Sequence, residues 1–159
     1  MTLRVIDIIE GTAVDGPGLR TSIYFAGCKH HCTDCHNPHT WDFEAGKDMT
    51  VPEIIDIVER NAFNVTYSGG DPMFQPEPLL ELSREIKSRG KTIWCYTGFT
   101  YEQLIGNHAY KDLLKLLDVL VDGPFVKDLA DISLRFRGSS NQRIIDCQRS
   151  NIDKIVLWE

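Results

Sequence analysis

Apolar residues recur along the chain with two different periods, and the switches between them mark out its elements. Thr21, Ser22, Ile23, Tyr24 and Phe25 are β-branched, aromatic or small, and predict a buried strand that runs into a cysteine-rich loop. From Val51 to Ala62 the period becomes helical, with Ile54, Ile55 and Val58 on one apolar face. Thr50 and Glu53 have capping-box spacing, and Pro52 falls in the first turn, where its missing N–H has no helical partner. Phe63 to Tyr67 predicts a strand that stops at Ser68-Gly69-Gly70-Asp71-Pro72. Leu79, Leu80, Leu82 and Ile86 predict a second helix closed by Gly90, and Thr92 to Tyr96 a strand ending at Thr97-Gly98. Thr100 and Gln103 repeat the capping-box spacing, Leu113 to Leu117 mark a further helix, and Val119 to Val121 a short strand before Asp122-Gly123-Pro124.

Strands that alternate with helices predict an α/β fold with a mostly parallel sheet and crossover helices. The cysteine loop, the Gly-Gly-Asp loop, Thr97-Gly98 and Asp122-Gly123 then collect at the carboxyl edge of the sheet, where ligands of such folds bind. The length leaves room for five or six strand–helix units of roughly 25 to 30 residues, fewer than a complete (β/α)8 barrel needs, so a partial (β/α) barrel is expected. With 42% hydrophobic residues in 159, one continuous core is expected, and residues 1–159 as a single domain. Acidic residues outnumber basic ones by 23 to 17, for a net charge of -6, so there is no general cationic field for nucleic acid. The start, MTLRVIDIIEG, lacks the features of a signal peptide, and no stretch has the length of a membrane span, so the expected compartment is the cytoplasm.

Five cysteines are an odd number, and three of them, Cys28, Cys32 and Cys35, fall within eight residues. That clustering suits a metal site in a reducing compartment better than a disulfide framework. In C-x3-C-x2-C spacing, three thiolates can bind three corners of a [4Fe-4S] cluster and leave one iron open to an outside ligand. They also suit zinc in a structural Cys3His site, with His30, His31, His36 or His39 as the fourth ligand. Both metals remain open on spacing alone. Cys95 lies within an apolar strand and reads as a buried structural thiol, and Cys147 as a bystander. Arg135, Arg137 and Arg143 form a basic cluster that reads as solvated surface or internal ion pairs.

The cysteine spacing resembles the signature of radical S-adenosylmethionine (SAM) enzymes. The flanking Asp15-Gly16-Pro17-Gly18-Leu19-Arg20 and His36-Asn37-Pro38-His39-Thr40-Trp41 resemble the activases of glycyl-radical enzymes. Ser68 to Pro72, Trp94 to Phe99, Asp118 to Phe125 and Arg137 to Arg143 are similar to the branch of that family acting on anaerobic ribonucleoside-triphosphate reductase. Activases of other glycyl-radical enzymes, such as pyruvate formate-lyase, share the first two blocks.

The resemblance implies a radical SAM barrel holding a [4Fe-4S] cluster on Cys28, Cys32 and Cys35. It further implies reductive cleavage of SAM to methionine and a 5'-deoxyadenosyl radical, and a glycyl radical on the large subunit of the reductase. A one-electron donor of the flavodoxin type would supply the electron. On the same basis Gly69, Gly70 and Asp71 match the loop that contacts the SAM amino group, and Asp34, Cys35 and His36 the stretch along the adenine. Relatives often have an aromatic residue where this chain has Asp34, which makes the His36 ring the alternative stacking surface. Tyr96, Thr97 and Asp122 are strand-end candidates for the ribose or carboxylate, and Asp15 and Gly16 for the floor under the partner's glycine loop.

Overall fold

The computed structural model describes residues 1–30 and 41–159. Both capping boxes form as the spacing predicts. The Thr50 side chain accepts from the Glu53 N–H ahead of α1 (Val51–Val58), and the Thr100 side chain accepts from the Gln103 N–H ahead of α3 (Tyr101–Ile105). In each, the third helical side chain reaches back to the cap N–H, so two otherwise orphaned donors are satisfied together. Helix α1 stops at Val58 rather than Ala62. Beyond Val58 the apolar face ends, and Arg60 and Asn61 turn away to hydrogen-bond Glu10. Helix α2 (Pro76–Ser88) buries Leu79, Leu82 and Ile86, and Gly90 follows it at φ +76°, a left-handed conformation that terminates helices. Helix α4 (His108–Leu116) begins earlier than its leucines indicate, because the Asn107 side chain accepts from the Ala109 N–H as its cap.

Among the described residues, seven strands form one sheet: β1 (Thr2–Thr12), β2 (Arg20–Phe25), β3 (Lys47–Thr50), β4 (Asn64–Gly69), β5 (Ile93–Tyr96), β6 (Val119–Asp122) and β7 (Arg143–Asp146). Their order is β3-β1-β2-β4-β5-β6-β7. The inner four, β2, β4, β5 and β6, are parallel, and β1, β3 and β7 add antiparallel flanks. There are thus three helical crossovers instead of five or six, because β1, β3 and β7 join the sheet without helices of their own. Strand β4 also runs two residues past Tyr67, pairing Ser68 with Tyr24 and Gly69 with Phe25. Gly69 continues the ladder because its φ of +100° suits glycine and because a Cβ there would strike the Phe25 backbone.

Alternation along the strands gives the sheet two unlike faces. Leu3, Val5, Ile23, Phe25, Val65, Tyr67, Ile93, Cys95 and Leu120 point to the helices and form the main core with them. The other face carries Arg20, Ser22, Tyr24, Thr66, Ser68, Trp94 and Tyr96 in the inner strands. Part of it is covered by Phe136 and Trp158, whose rings meet Trp94 edge-on at centroid distances of 5.4 and 5.1 Å. Among the described residues no helix is long and apolar enough to cross a membrane.

Candidate active site

The ends of the four parallel strands meet at one edge of the sheet, as the sequence pattern predicts. Cys28, beyond β2, Gly69 and Gly70, at the end of β4, and Tyr96, Thr97 and Gly98, at the end of β5, line a cavity of about 560 Å³. Its rim includes Val14 and Asp15 on one side and Phe125, Ile132 and Arg137 on the other. The cysteine loop and the glycine loop are joined by backbone hydrogen bonds. Gly70 N–H donates to the Phe25 carbonyl and Asp71 N–H to the Gly27 carbonyl, each at 2.8 Å. With those N–H groups turned into the fold, the loop's carbonyl oxygens are what it can offer a ligand, and acceptors are what an ammonium group requires.

Asp71 ties this corner together. Its carboxylate is completely buried and accepts from Met73 N–H at 3.0 Å, from Gly98 N–H at 2.9 Å, and from the Thr97 hydroxyl at 3.0 and 2.9 Å. The His30 Nε2 lies 2.7 Å from the same carboxylate. Thr97 is therefore held toward Asp71, while Tyr96 projects from the opposite face of β5 into the cavity. Burial is the main reason the Tyr96 hydroxyl is raised above the ordinary tyrosine range.

Asp15 and Gly16 are fixed at the rim by a second network. The Tyr24 hydroxyl donates to the Asp15 carboxylate, and the Thr66 hydroxyl to the Asp15 carbonyl at 2.8 Å. Arg20 reaches Thr66 Oγ1 at 2.8 Å, the Val65 carbonyl at 3.0 Å and the Pro17 carbonyl at 3.2 Å, and its guanidinium lies 5.8 Å from the Trp94 ring centroid. Burial lowers the pKa of Arg20, and burial followed by the Asp15 hydrogen bond raises that of Tyr24. Gly16 has φ +135°, and a Cβ there would lie 2.8 Å from Arg20 Cδ, so this turn packs against the arginine only as glycine.

Asp122 faces the helical side of β6, away from Tyr96. Its carboxylate accepts from Tyr101 N–H at 2.8 Å and pairs with Arg143, whose Nη2 is 2.5 Å away. It thereby joins β6, β7 and the start of α3. Arg143 also reaches Glu102, which it lowers below the usual carboxylate range. The three arginines singled out in sequence have separate roles: Arg135 lies over Phe136, Arg137 donates to the Ser140 and Gln142 carbonyls, and Arg143 is an ion-pair partner. Cys32, Asp34, Cys35 and His36 lie outside the described residues.

Two residues take roles that the sequence does not assign them. His30, a zinc-ligand candidate by sequence, is drawn to Asp71, and Gln142 receives Gly138 N–H at 2.9 Å and donates to the Gly123 carbonyl at 3.0 Å, holding the far wall of the cavity to β6. The His30–Asp71 and Gln142–Gly123 contacts have no sequence signature, since they span 41 and 19 residues of chain. Cys95 and Cys147 are buried, and burial is the main cause that pushes Cys95 well above the ordinary thiol range and Cys147 up to about 12. In the folded, cluster-free protein at neutral pH, iodoacetamide is therefore expected to label neither until denaturant is added. Mass spectrometry of labelled peptides checks this, and rapid native labelling of either would contradict their burial.

A family model described as a 4Fe-4S single cluster domain matches residues 14–145. Anaerobic ribonucleoside-triphosphate reductase-activating proteins of Escherichia coli K12 and Vibrio cholerae are 40% and 36% identical over 139 and 143 residues, covering 81% and 82% of this chain and 89% and 90% of theirs. The chain belongs to this family of activating proteins. Membership makes it a radical SAM enzyme with a [4Fe-4S] cluster and SAM as cofactors, which removes the zinc alternative. The chain is also similar to the pyruvate formate-lyase-activating enzyme of Clostridium pasteurianum, at 38% identity over 134 residues, 79% of this chain and 54% of that enzyme. The crystal structure of QueE from Escherichia coli, at 18% identity and a TM-score of 0.55 over 63% of this chain and 54% of its own, shares the partial-barrel fold.

Proposed function

We propose that this protein, folded as one unit over residues 1–159, reductively cleaves SAM and uses the product to place a glycyl radical on the large subunit of anaerobic ribonucleoside-triphosphate reductase. The observation that carries the proposal is the joining of the Cys28 and Gly69-Gly70 loops, through two backbone hydrogen bonds, at the wall of one cavity. A cysteine loop and an acceptor-rich loop are thereby held side by side, as a site must be that binds a metal and an ammonium-bearing ligand together.

Cys28, Cys32 and Cys35 would hold the cluster, since three thiolates ligate three irons and leave the fourth for an outside ligand. When bound, the cluster supplies one electron to the sulfonium, breaking a carbon–sulfur bond to give methionine and a 5'-deoxyadenosyl radical. The chain's own task is positioning. Carbonyls of Gly69 and Gly70 would receive the SAM ammonium, and the family resemblance assigns Asp34, Cys35 and His36 to the adenine. Tyr96 faces the ligand directly, while Thr97 and Asp122 act by fixing the ends of β5 and β6. Phe125, Leu134 and Phe136 make the cavity wall apolar, which excludes water from a reactive intermediate. Asp15 and Gly16 form the floor where the partner's glycine enters. There the glycine's α-hydrogen would pass to the 5'-carbon of the deoxyadenosyl group, leaving 5'-deoxyadenosine and a glycyl radical.

The reductase is favoured over pyruvate formate-lyase because the similarity to reductase activators extends over 89% of their length, against 54% for the formate-lyase activator. A flavodoxin-type donor and the reducing cytoplasm suit the electron this reaction consumes, and neither nucleic acid nor a membrane is needed as partner. The test is anaerobic reconstitution with iron and sulfide, reduction, addition of SAM, and assay of 5'-deoxyadenosine with and without the reductase large subunit. The expected result is 5'-deoxyadenosine together with a glycyl radical signal by electron paramagnetic resonance on the reductase. Nucleoside without that signal would reject the target, and no nucleoside would reject the reaction.

A further inference from the structure

We infer that His30 is a positioning residue that couples the metal-binding loop to the SAM-binding loop; the inference rests on the function proposed above. His30 lies two residues beyond Cys28, with its side chain 18% exposed. Its ring sits against Phe99 and Phe74, at centroid distances of 4.6 and 5.4 Å, so its orientation is fixed by packing. Nε2 is 2.7 Å from Asp71 Oδ2. Three other donors, from Met73, Gly98 and Thr97, already point at this carboxylate, which offers only acceptor oxygens, so the imidazole N–H donates. Asp71 directly follows the two glycines proposed to receive the SAM ammonium. One hydrogen bond therefore joins the residue two beyond a proposed cluster cysteine to the residue that follows the glycines proposed for the SAM amino group.

Gly98 shows how closely the ring is fitted. A Cβ there would lie 2.5 Å from His30 Cδ2, so even alanine would push the imidazole off its seat. The backbone hydrogen bonds from Gly70 and Asp71 link the same two loops at their bases, and His30 links them nearer the cavity, where its ring is part of the wall. With both links in place the loops cannot shift independently. Without the second, each can keep its own ligand while the two ligands lose their mutual alignment.

The test compares His30→Phe, which keeps an aromatic ring between Phe74 and Phe99 but has no N–H, with His30→Gln, which restores a donor. Gly98→Ala is a third variant that displaces the ring while leaving His30 in the sequence. Iron and sulfide content after reconstitution and the spectrum of the reduced cluster without SAM are expected to match the parent in all three. In His30→Phe and Gly98→Ala, the KM for SAM is expected to rise roughly tenfold to a hundredfold, the size of effect that loss of a hydrogen bond to a charged group carries. The change that SAM causes in the cluster's electron paramagnetic resonance spectrum should be altered in both, and His30→Gln should recover most of each effect. An unchanged KM and an unchanged SAM-dependent spectrum in His30→Phe would overturn the inference. So would loss of iron in that variant, which would make His30 a residue for retaining the cluster. If the parent protein itself shows no spectral response to SAM, the proposed function falls and this inference with it.

Discussion

Replacing Cys28 with alanine is expected to abolish 5'-deoxyadenosine formation, with Cys32→Ala and Cys35→Ala doing the same and Cys95→Ala and Cys147→Ala sparing it. The loss should exceed about 100-fold, above the range for residues that only support a metal's ligands. In the proposed site each of the three would hold one corner of the cluster, and no other described cysteine is near enough in the chain to replace it. Cys95 points from β5 into the main core, so truncating its side chain leaves a small void that costs about 1 kcal/mol, a loss of roughly 2–4 °C in Tm for a chain of this size. Iron analysis, the nucleoside assay and thermal melts on the five variants distinguish the two groups. Wild-type turnover in any of the first three would end the cluster assignment, and a dead Cys95→Ala that still melts normally would show that this thiol has a chemical role.

Asp71→Ala is expected to lower the stability of the cluster-free protein by about 4 kcal/mol, because it leaves buried donors on Met73, Thr97 and Gly98 without their acceptor. That is a large share of the total of roughly 5–15 kcal/mol typical of such proteins. It corresponds to a fall in Tm of about 10 °C. Asp71→Asn keeps the shape and one acceptor oxygen but sets an NH2 group against other donors, so an intermediate loss is expected. Denaturant melts of the apoprotein measure both. A change below about 1 kcal/mol in the alanine variant would mean that water satisfies these donors and that the corner is looser than its hydrogen bonds indicate.

The helices and the parallel strands were legible in the sequence because their signals are local. Thr50 with Glu53, and Thr100 with Gln103, set their helix starts from side chains three residues apart, and both are found in place. Gly90 follows α2 and Thr97 follows β5 where expected, whereas β4 runs on through Ser68 and Gly69 and β6 through Asp122. The flanking strands left no such trace. Strand β3 is Lys47-Asp48-Met49-Thr50, with only Met49 buried, and exists because β1 lies beside it. Strand β7 begins with Arg143, for which the sequence leaves surface and internal ion pair open; it pairs with Asp122, the residue opposite it in the β6–β7 ladder, while the strand itself left no signal. At the site, the glycine loop, Tyr96 and Asp15 reach the cavity where the sequence places them. Asp122 sits at the predicted strand end but turns to the helical face, a distinction that depends on the parity of the strand. His30 needed the fold itself, since 41 residues separate it from Asp71.

The outermost strands of the sheet bear on how a partner can attach. Proteins often recruit extended peptides by adding a strand to an open sheet border, where unpaired backbone groups wait. Here one border is β3, four residues long with Lys47 and Asp48 exposed, which is short and charged for such pairing. The other border, β7, is already occupied: Trp158 N–H donates to the Ile144 carbonyl at 2.8 Å and Asp146 N–H to the Val156 carbonyl at 2.8 Å, so the tail of the chain lies along it. The function proposed above has a glycine-bearing loop enter end-on, at the tips of the parallel strands, and neither border of the sheet would compete for it by forming a mispaired complex.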